Sequence, residues 1–425
     1  MRVGIIGAGI SGLAAALRLA RNGHAVEVFQ RESSIGGLIA TFDLGGTRIE
    51  HFYHFLCGGD TGYFKLCEEL GLGDRLRFSK PRTGFLYEGR RFDFTSALDL
   101  LRFSPIPFSQ RIRFGLFALD ARMRSDWDPL DLLAAKPWLI ERLGQRAYDV
   151  IWDPLLVLKF GDYHDKISAA WVCHRIHRVA RSGGRMGYLE GGTALLLDTI
   201  AAALDRARVV IHHGRPVAQI FDDGGRVRGL RLTDGSEHMC DRVISTVPLT
   251  VLAGLLPPGW EAYEGELRRI RYIGVVCVSF KLARRLTPYF WLNVNDSRIP
   301  FNGVIEYTNL NPLDGTHVAY VPNYVPVDDP TYLMDTEALV ARVWAGLKLI
   351  SPGLEDRDLL ASHVAKTPFA QAICPAGFLR VLPAQDAPLK GLHLLDSVFL
   401  YPEDRTQSGN ILKANQCADG LGANE

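Results

Sequence analysis

The chain has 425 residues, 47% of them hydrophobic and 22% charged, a composition that excludes a disordered protein. That length exceeds what one hydrophobic core supports, so two interlocked lobes are expected. With 48 basic against 47 acidic residues, no global field draws the protein to nucleic acid, and a charged partner must be met by a local patch.

The first predicted strand is Val3 to Ile6, followed by a turn through Gly7-Ala8-Gly9, a helix from Ser11 to Asn22 and a second strand from Ala25 to Phe29. In hydropathy the run Ile5 to Leu17 also suits a signal-peptide core, but Gly7, Gly9 and Gly12 at fixed spacing inside it predict strand, turn and helix. In Gly7-Ala8-Gly9-Ile10-Ser11-Gly12 the first glycine permits the tight turn. The second lets a diphosphate approach the backbone, and the third lets the helix pack against the strand. The helix N-terminus then faces the anion. At the end of the second strand, where a carboxylate ordinarily meets ribose hydroxyls, stand Gln30, Arg31 and Glu32. A glutamine amide still bonds a hydroxyl, so the ribose contact falls to Gln30 or Glu32, while Arg31 by itself suggests a 2′-phosphate.

From Ser96, a predicted helix N-cap, to Arg124 the sequence is helical and rich in Phe, Leu and Arg, with a break at Ser104-Pro105-Ile106-Pro107. Helical segments continue to about Arg181, which describes an inserted helical lobe. Phe103, Phe108, Phe114 and Phe117, among Arg102, Arg111, Arg113, Arg122 and Arg124, either pack inside that lobe or lie on a bilayer surface. Lys159, in an otherwise apolar run, is either a surface lysine at a helix end or a group that meets an acidic part of a substrate. Arg175 and Arg178, interleaved with His174 and His177, suit a solvated helix face or the binding of a phosphate or carboxylate.

A new unit opens at Gly191-Gly192 with a helix from Ala194 to Leu204 and strands Val209 to His212, Val217 to Phe221 and Val227 to Leu232. The last two are joined by the hairpin signal Asp222-Asp223-Gly224-Gly225. Arg242 to Thr246, stopped by Pro248, is a further strand, and Tyr272 to Leu282, Tyr289 to Ile305 and His317 to Tyr324 suggest a second sheet. Thr336 to Leu349 is a predicted helix, Gly391 to Leu395 a strand, and Gly409 to Leu421 the last helix. Seven scattered cysteines without a C-x-x-C pair fit reduced thiols in a cytoplasm. No motif predicts a metal, and no apolar run is long enough to predict a spanning helix.

GxGxxG followed by Gly36-Gly37 resembles the extended signature of the flavin amine oxidase superfamily, which includes protoporphyrinogen oxidases, phytoene desaturases and UDP-galactopyranose mutases. The resemblance is specific over the first forty residues and covers the rest in outline. It implies an α/β protein in which a Rossmann-like FAD-binding domain is interleaved with a second, mixed-sheet substrate domain and a helical insertion. Residues 1–95, 186–260 and 386–425 are then expected to build the FAD-binding domain, 96–185 the helical insertion, and 261–385 the substrate-domain sheet and helix. The resemblance also implies cofactor contacts at Gly7, Gly9, Ser11, Gly12, Gly36, Gly37 and Leu38, the last where the family often has Arg. Val217 would meet the adenine, Thr246 lies in the strand end beside it, and Asp396 would place a carboxylate near the ribityl chain. Ser408, Asn410 and Ile411 open the final helix, whose N-terminus would stabilise negative charge on the flavin.

A flavin accepts hydride, so the chain need supply only a substrate channel and proton traffic. In Glu50-His51-Phe52-Tyr53-His54, His51 and His54 are candidate proton carriers or simply packed side chains. Tyr188, Tyr289, Trp291 and Tyr307 are candidate walls of an apolar substrate cavity, or core. The expected function is an FAD-dependent oxidoreductase that removes hydride from a C–N or C–C bond of a small, largely apolar substrate. A peripheral membrane contact and a cytoplasmic location accompany it. One alternative is a mutase-like flavin isomerase that clamps a nucleotide diphosphate with Arg175, Arg178 and Arg181. Another is a non-catalytic, prenyl-binding escort-type protein.

Overall fold

A computed structural model of the chain describes residues 1–313 and 315–422. Five parallel strands form the first sheet in the order Val210–His212, Ala25–Phe29, Arg2–Ile6, Arg242–Ser245 and Leu392–Leu394. Strands covered on both faces read as nearly continuous apolar runs, as Val3 to Ile6 does. Helices Ile10–Arg21, Gly192–Arg206 and Gln407–Gly422 cover one face, where Leu13, Leu17, Ile200, Ile411 and Ala414 share a core with Val3, Ile5, Val28 and Ile244. A three-stranded antiparallel sheet, Val217–Asp223, Arg226–Leu232 and Glu237–Met239, covers the other. Its Ile220, Leu230 and Leu232 pack with Ile6, Phe29, Val243 and Leu394. All five parallel strands therefore end on one edge, where open α/β sheets bind ligands.

The second sheet has seven strands in the order Leu359–Ala372, Tyr272–Leu282, His317–Val325, Gly303–Glu306, Trp291–Asn295, Thr83–Tyr87 and Arg90–Asp93. It is mixed, because Trp291–Asn295 runs parallel to Thr83–Tyr87 while the other neighbours are antiparallel. Two features differ from expectation. Thr83–Tyr87 and Arg90–Asp93 lie within the segment assigned to the first domain, yet the chain has already crossed to the second sheet by residue 83. Leu359–Ala372, the longest strand, has no predicted counterpart, because Ser362, His363, Lys366 and Thr367 on this edge strand break up the apolar signal.

The helical lobe contains Ala97–Arg102, Phe108–Met123, Ala135–Leu143, Asp153–Phe160 and Ala169–Arg181. Ser96 caps its first helix in a capping box with Asp99. Phe103, Phe114 and Phe117 are buried with Trp138 and Phe85, so packing accounts for three of the four phenylalanines singled out above. Phe108 is exposed, as are Ile112, Leu116, Leu119 and Met123 along the same helix. Among the described residues no helix is long and apolar enough to cross a membrane.

Candidate cofactor and active site

The glycine turn is sterically required by its surroundings. A Cβ on Gly12 would stand 2.0 Å from the Gly7 carbonyl oxygen, so helix and strand meet at a distance only glycine permits. Gly7 has φ +102° and is braced by Thr246, whose hydroxyl donates to the Ile6 carbonyl at 2.9 Å. Gly36, at φ +115°, donates its N–H to the Ala8 carbonyl at 2.8 Å and forms a parallel bridge with Gly9. A Cβ on Gly37 would lie 3.3 Å from the Gly9 Cα. The two glycine segments thus lie side by side, with Leu38 half-buried in the short turn that follows. Gly9 caps the helix Ile10–Arg21 without a side-chain acceptor, and the first turn holds no acidic residue, so the helix end is left to an outside anion.

At the ribose end, Gln30 is buried and engaged at both ends of its amide. Its Oε1 accepts from the Ala8 N–H at 3.1 Å, and its Nε2 donates to the Ser34 carbonyl at 3.0 Å. Gln30 therefore ties the second strand to both glycine segments. Arg31 and Glu32 are exposed and pair with each other at 2.9 Å. The Arg215 N–H donates to the Gln30 carbonyl at 2.9 Å, which brings the strand carrying Val217 alongside this end.

The helix Gln407–Gly422 starts beside the helix Ile10–Arg21: the Ser11 hydroxyl donates to Asn410 Oδ1 at 3.1 Å. Thr406 caps it, accepting from the Gly409 N–H, and the Ser408 hydroxyl accepts from the Gly62 N–H at 2.9 Å. Ile411 is buried in the helix core. Asp396 is buried, and both its oxygens carry protein donors: the Val398 and Leu249 N–H groups and the Tyr272 and Ser397 hydroxyls. Burial pushes its carboxyl up, opposed by these donors.

Beyond the helix start lies a small cavity lined by Glu50, His54, Phe55, Tyr63, Tyr188, Thr193, Tyr307 and Gln407. Glu50 accepts from the Thr193 hydroxyl, and burial raises its carboxyl. Burial and the Arg405 guanidinium hold the His54 imidazole down at about 4, so it is neutral at neutral pH. His54 Nδ1 and Gln407 Oε1 are buried without a hydrogen-bond partner among the described residues. Tyr53 and Phe55 pack edge-on against Trp291, with ring centres 5.4 and 6.1 Å away.

The remaining predicted site residues fall elsewhere. His51 points away from the cavity, with Nδ1 3.1 Å from His363 Nε2 and its ring stacked on Phe42. Tyr289 is buried in the other core of the seven-stranded sheet, under the Arg82 guanidinium. Lys159 is not a surface lysine: it is 6% exposed, with Nζ 4.3 Å from the centre of the Tyr324 ring. Nor is the Arg175–Arg178 stripe a solvated face, since Arg175 pairs with Asp404 at 2.6 Å and Arg178 with Asp60 at 3.1 Å. Sequence reading missed Glu50, Thr193, Gln407 and the Asp404-Arg405 pair. Only the last had a local signal, as adjacent charges just before a helix expected to open on the cofactor. A group with metal-ligand chemistry, Glu27, His212 and His238, comes together on the sheet face covered by the antiparallel strands.

The family described as flavin containing amine oxidoreductase matches residues 10–394. The chain is 28% identical over 318 residues to a 15-cis-phytoene desaturase of Synechococcus elongatus, spanning 68% of this chain and 66% of that one. It is 25% identical to a zeta-carotene desaturase of Synechocystis, across 100% of this chain and 98% of the relative. An oxidoreductase from Methanosarcina mazei shares the fold, with a TM-score of 0.74 at 21% identity over 99% of this chain and 100% of that one. The glycine cradle and the uncapped start of the helix Ile10–Arg21 fit a bound dinucleotide, and the match extends over most of the chain. This protein belongs to the flavin-containing amine oxidoreductase family and is an FAD-dependent oxidoreductase.

Proposed function

We propose that the chain removes hydride from a C–N or C–C bond of a small, largely apolar substrate. The substrate lies in the cleft between the start of the helix Gln407–Gly422, the segment 50–55 and the seven-stranded sheet. The observation that carries this reading is His54, a neutral imidazole with an unpartnered Nδ1 in a cavity walled by Phe55, Tyr63, Tyr188 and Tyr307. FAD, when bound there, would supply an acceptor for the hydride, which carries both electrons of the broken C–H bond. The amides at Gly9 to Gly12 and the segment Gly36-Gly37 would hold the diphosphate, with Gln30 and the segment from Arg215 to Val217 at the ribose and adenine end. Asp396 holds the neighbouring strand ends in place through its four donors. His54 Nδ1 accepts the proton that leaves when a double bond or imine forms, and the aromatic walls exclude water. The desaturase relatives act on carotenoids by their names, which is consistent with an apolar substrate.

The escort-type alternative has no support from the glycine cradle, which is intact. The mutase-like alternative called on Arg175, Arg178 and Arg181 as a diphosphate clamp, and of these Arg178 is already engaged by Asp60. The reading extends to a membrane surface: Phe108, Ile112, Leu116, Leu119 and Met123 form an exposed apolar stripe among arginines, suited to draw a lipophilic substrate from a bilayer. Anaerobic titration of the FAD-loaded protein with amines, porphyrinogens and polyprenoids tests the chemistry. Bleaching of the flavin by one class is expected, and no bleaching by any of them refutes the reading.

A further inference from the structure

The helical lobe and the final helix bring together a charge cluster that an apolar substrate does not require. Lys159, Arg175 and Arg405 converge on Asp404, the carboxylate that Arg175 meets at 2.6 Å and Arg405 at 3.8 Å. Lys159 has no carboxylate within ion-pair distance among the described residues. The nearby Arg178 is matched by Asp60, and Glu403 accepts from the Thr406 hydroxyl while burial pushes its carboxyl up. Three basic side chains thus face one ionised carboxylate.

The cations are held by neutral groups. Lys159 Nζ lies 4.3 Å from the Tyr324 ring centre and 5.1 Å from that of Trp171. Arg175 stacks over Trp171 at 4.7 Å and Arg405 over Tyr324 at 5.5 Å, so each ring is shared by two cations. Arg405 spends its hydrogen bonds on neutral acceptors, Gln371 Oε1 at 2.8 Å and the Tyr324 hydroxyl oxygen at 2.9 Å. Asp404 and Arg405 are enclosed deep in the protein yet keep 20% and 22% side-chain exposure, and Arg175 beside them keeps 30%, as expected of groups lining an internal cleft. Excess buried positive charge is costly unless an anion completes it. Burial and the Arg175 charge push the Lys159 ammonium well below the usual lysine range, which an anion between them would reverse.

We infer that Lys159, Arg175 and Arg405 form a subsite for an anionic group, a carboxylate or a phosphate, carried by the substrate of this cleft. The inference rests on the reading of the cleft as the substrate site. Arg405 links the two: it acts electrostatically on His54 and on Tyr53, and it bonds the Tyr324 hydroxyl. The substrate is therefore amphiphilic, with its charged end toward the helical lobe and its apolar part along the aromatic walls.

Calorimetric titration of the FAD-loaded protein with decyl phosphate, decanoate, decanol and inorganic pyrophosphate tests this. At least one charged chain should bind about tenfold or more tighter than decanol, and that advantage should vanish in Lys159→Met, with retained flavin colour reporting that the variant is folded. The tighter of the two charged chains names the group. If Lys159→Met does not hold FAD, Arg175→Gln takes its place. Equal binding of decanol and both charged chains overturns the subsite and leaves the apolar cleft standing. Binding of pyrophosphate without any chain keeps the subsite and removes the apolar reading. No binding by any of the four, or an advantage that survives the substitution, overturns the inference.

Discussion

Gly12→Ala perturbs the contact between the helix Ile10–Arg21 and the first glycine of the turn. The new methyl would stand 2.0 Å from the Gly7 carbonyl oxygen, where real Cβ contacts essentially never fall under 3.0 Å, so the backbones must separate by about 1 Å. Neither partner is a side chain that can swing away. Overpacking of this kind costs about 3 kcal/mol, at the upper end of its range because the obstacle is backbone. With an unfolding entropy of about 2.1 cal/mol/K per residue over this length, that is a fall in Tm of roughly 3 °C. The same displacement carries the helix amides away from the diphosphate, so the variant should purify largely colourless. Gly9→Ala separates the two effects. Gly9 has φ −74°, and its added Cβ would meet nothing nearer than the Gly36 carbonyl oxygen at 4.0 Å. Its methyl should leave apoprotein stability unchanged while blocking close approach of the diphosphate. Flavin absorbance per protein and thermal unfolding of both variants, with and without added FAD, provide the check. A Gly12→Ala protein with wild-type flavin content and Tm, or a Gly9→Ala protein that still binds FAD normally, would refute the assignment of this turn.

Two titrations of opposite sign are expected in apoprotein stability. His54, held at about 4 against 6.5 when unfolded, takes up a proton more readily in the unfolded state, so stability is lost as pH falls through this window. The loss is roughly 3 kcal/mol, and His54→Gln should remove it in urea unfolding followed from pH 7 to 4. Glu306 is buried behind the Leu286 and Thr287 N–H groups, and burial raises its carboxyl to about 7 from 4.5. The folded state therefore holds the proton more tightly, and stability falls by roughly 3 kcal/mol as pH rises from 4.5 to 7. Glu306→Gln should flatten that part of the profile; an unchanged slope would show that Glu306 does not carry it. Leu116→Asp with Leu119→Asp places charge on the exposed stripe, and cosedimentation with anionic-lipid vesicles should drop about tenfold or more without loss of flavin. Equal sedimentation of variant and wild type would exclude the stripe as the contact.

Within the candidate site, legibility followed sequence separation. The turn from Gly7 to Gly12 was readable because its demands are local: a tight turn, a close helix and an anion at the helix end all act within six residues. Gly36-Gly37 was readable by resemblance, and the bridge between Gly9 and Gly36 supplies the reason for its spacing. Gln30 was ambiguous, since its two partners, the Ala8 N–H and the Ser34 carbonyl, belong to different loops. Tyr289 and Trp291 are two residues apart, yet they lie in different cores because the regular strand begins only at Trp291. The strand Leu359–Ala372 escaped notice because an edge strand with polar positions carries little periodic signal.

By itself, the sequence determined the dinucleotide turn, the flavin family and the alternation of a parallel-sheet unit with inserted elements, since steric need for glycine and the period of apolar residues are local properties. The tertiary structure decided which polar groups face the cleft. His51 and His54 stand three residues apart, but one is turned to His363 across the fold while the other is enclosed beside Arg405. Lys159, Arg175 and Arg405 were three unrelated charges in the sequence. Packing of the helical lobe against the start of the last helix placed them around Asp404 on two shared aromatic rings, and no pattern within a window of residues encodes that meeting.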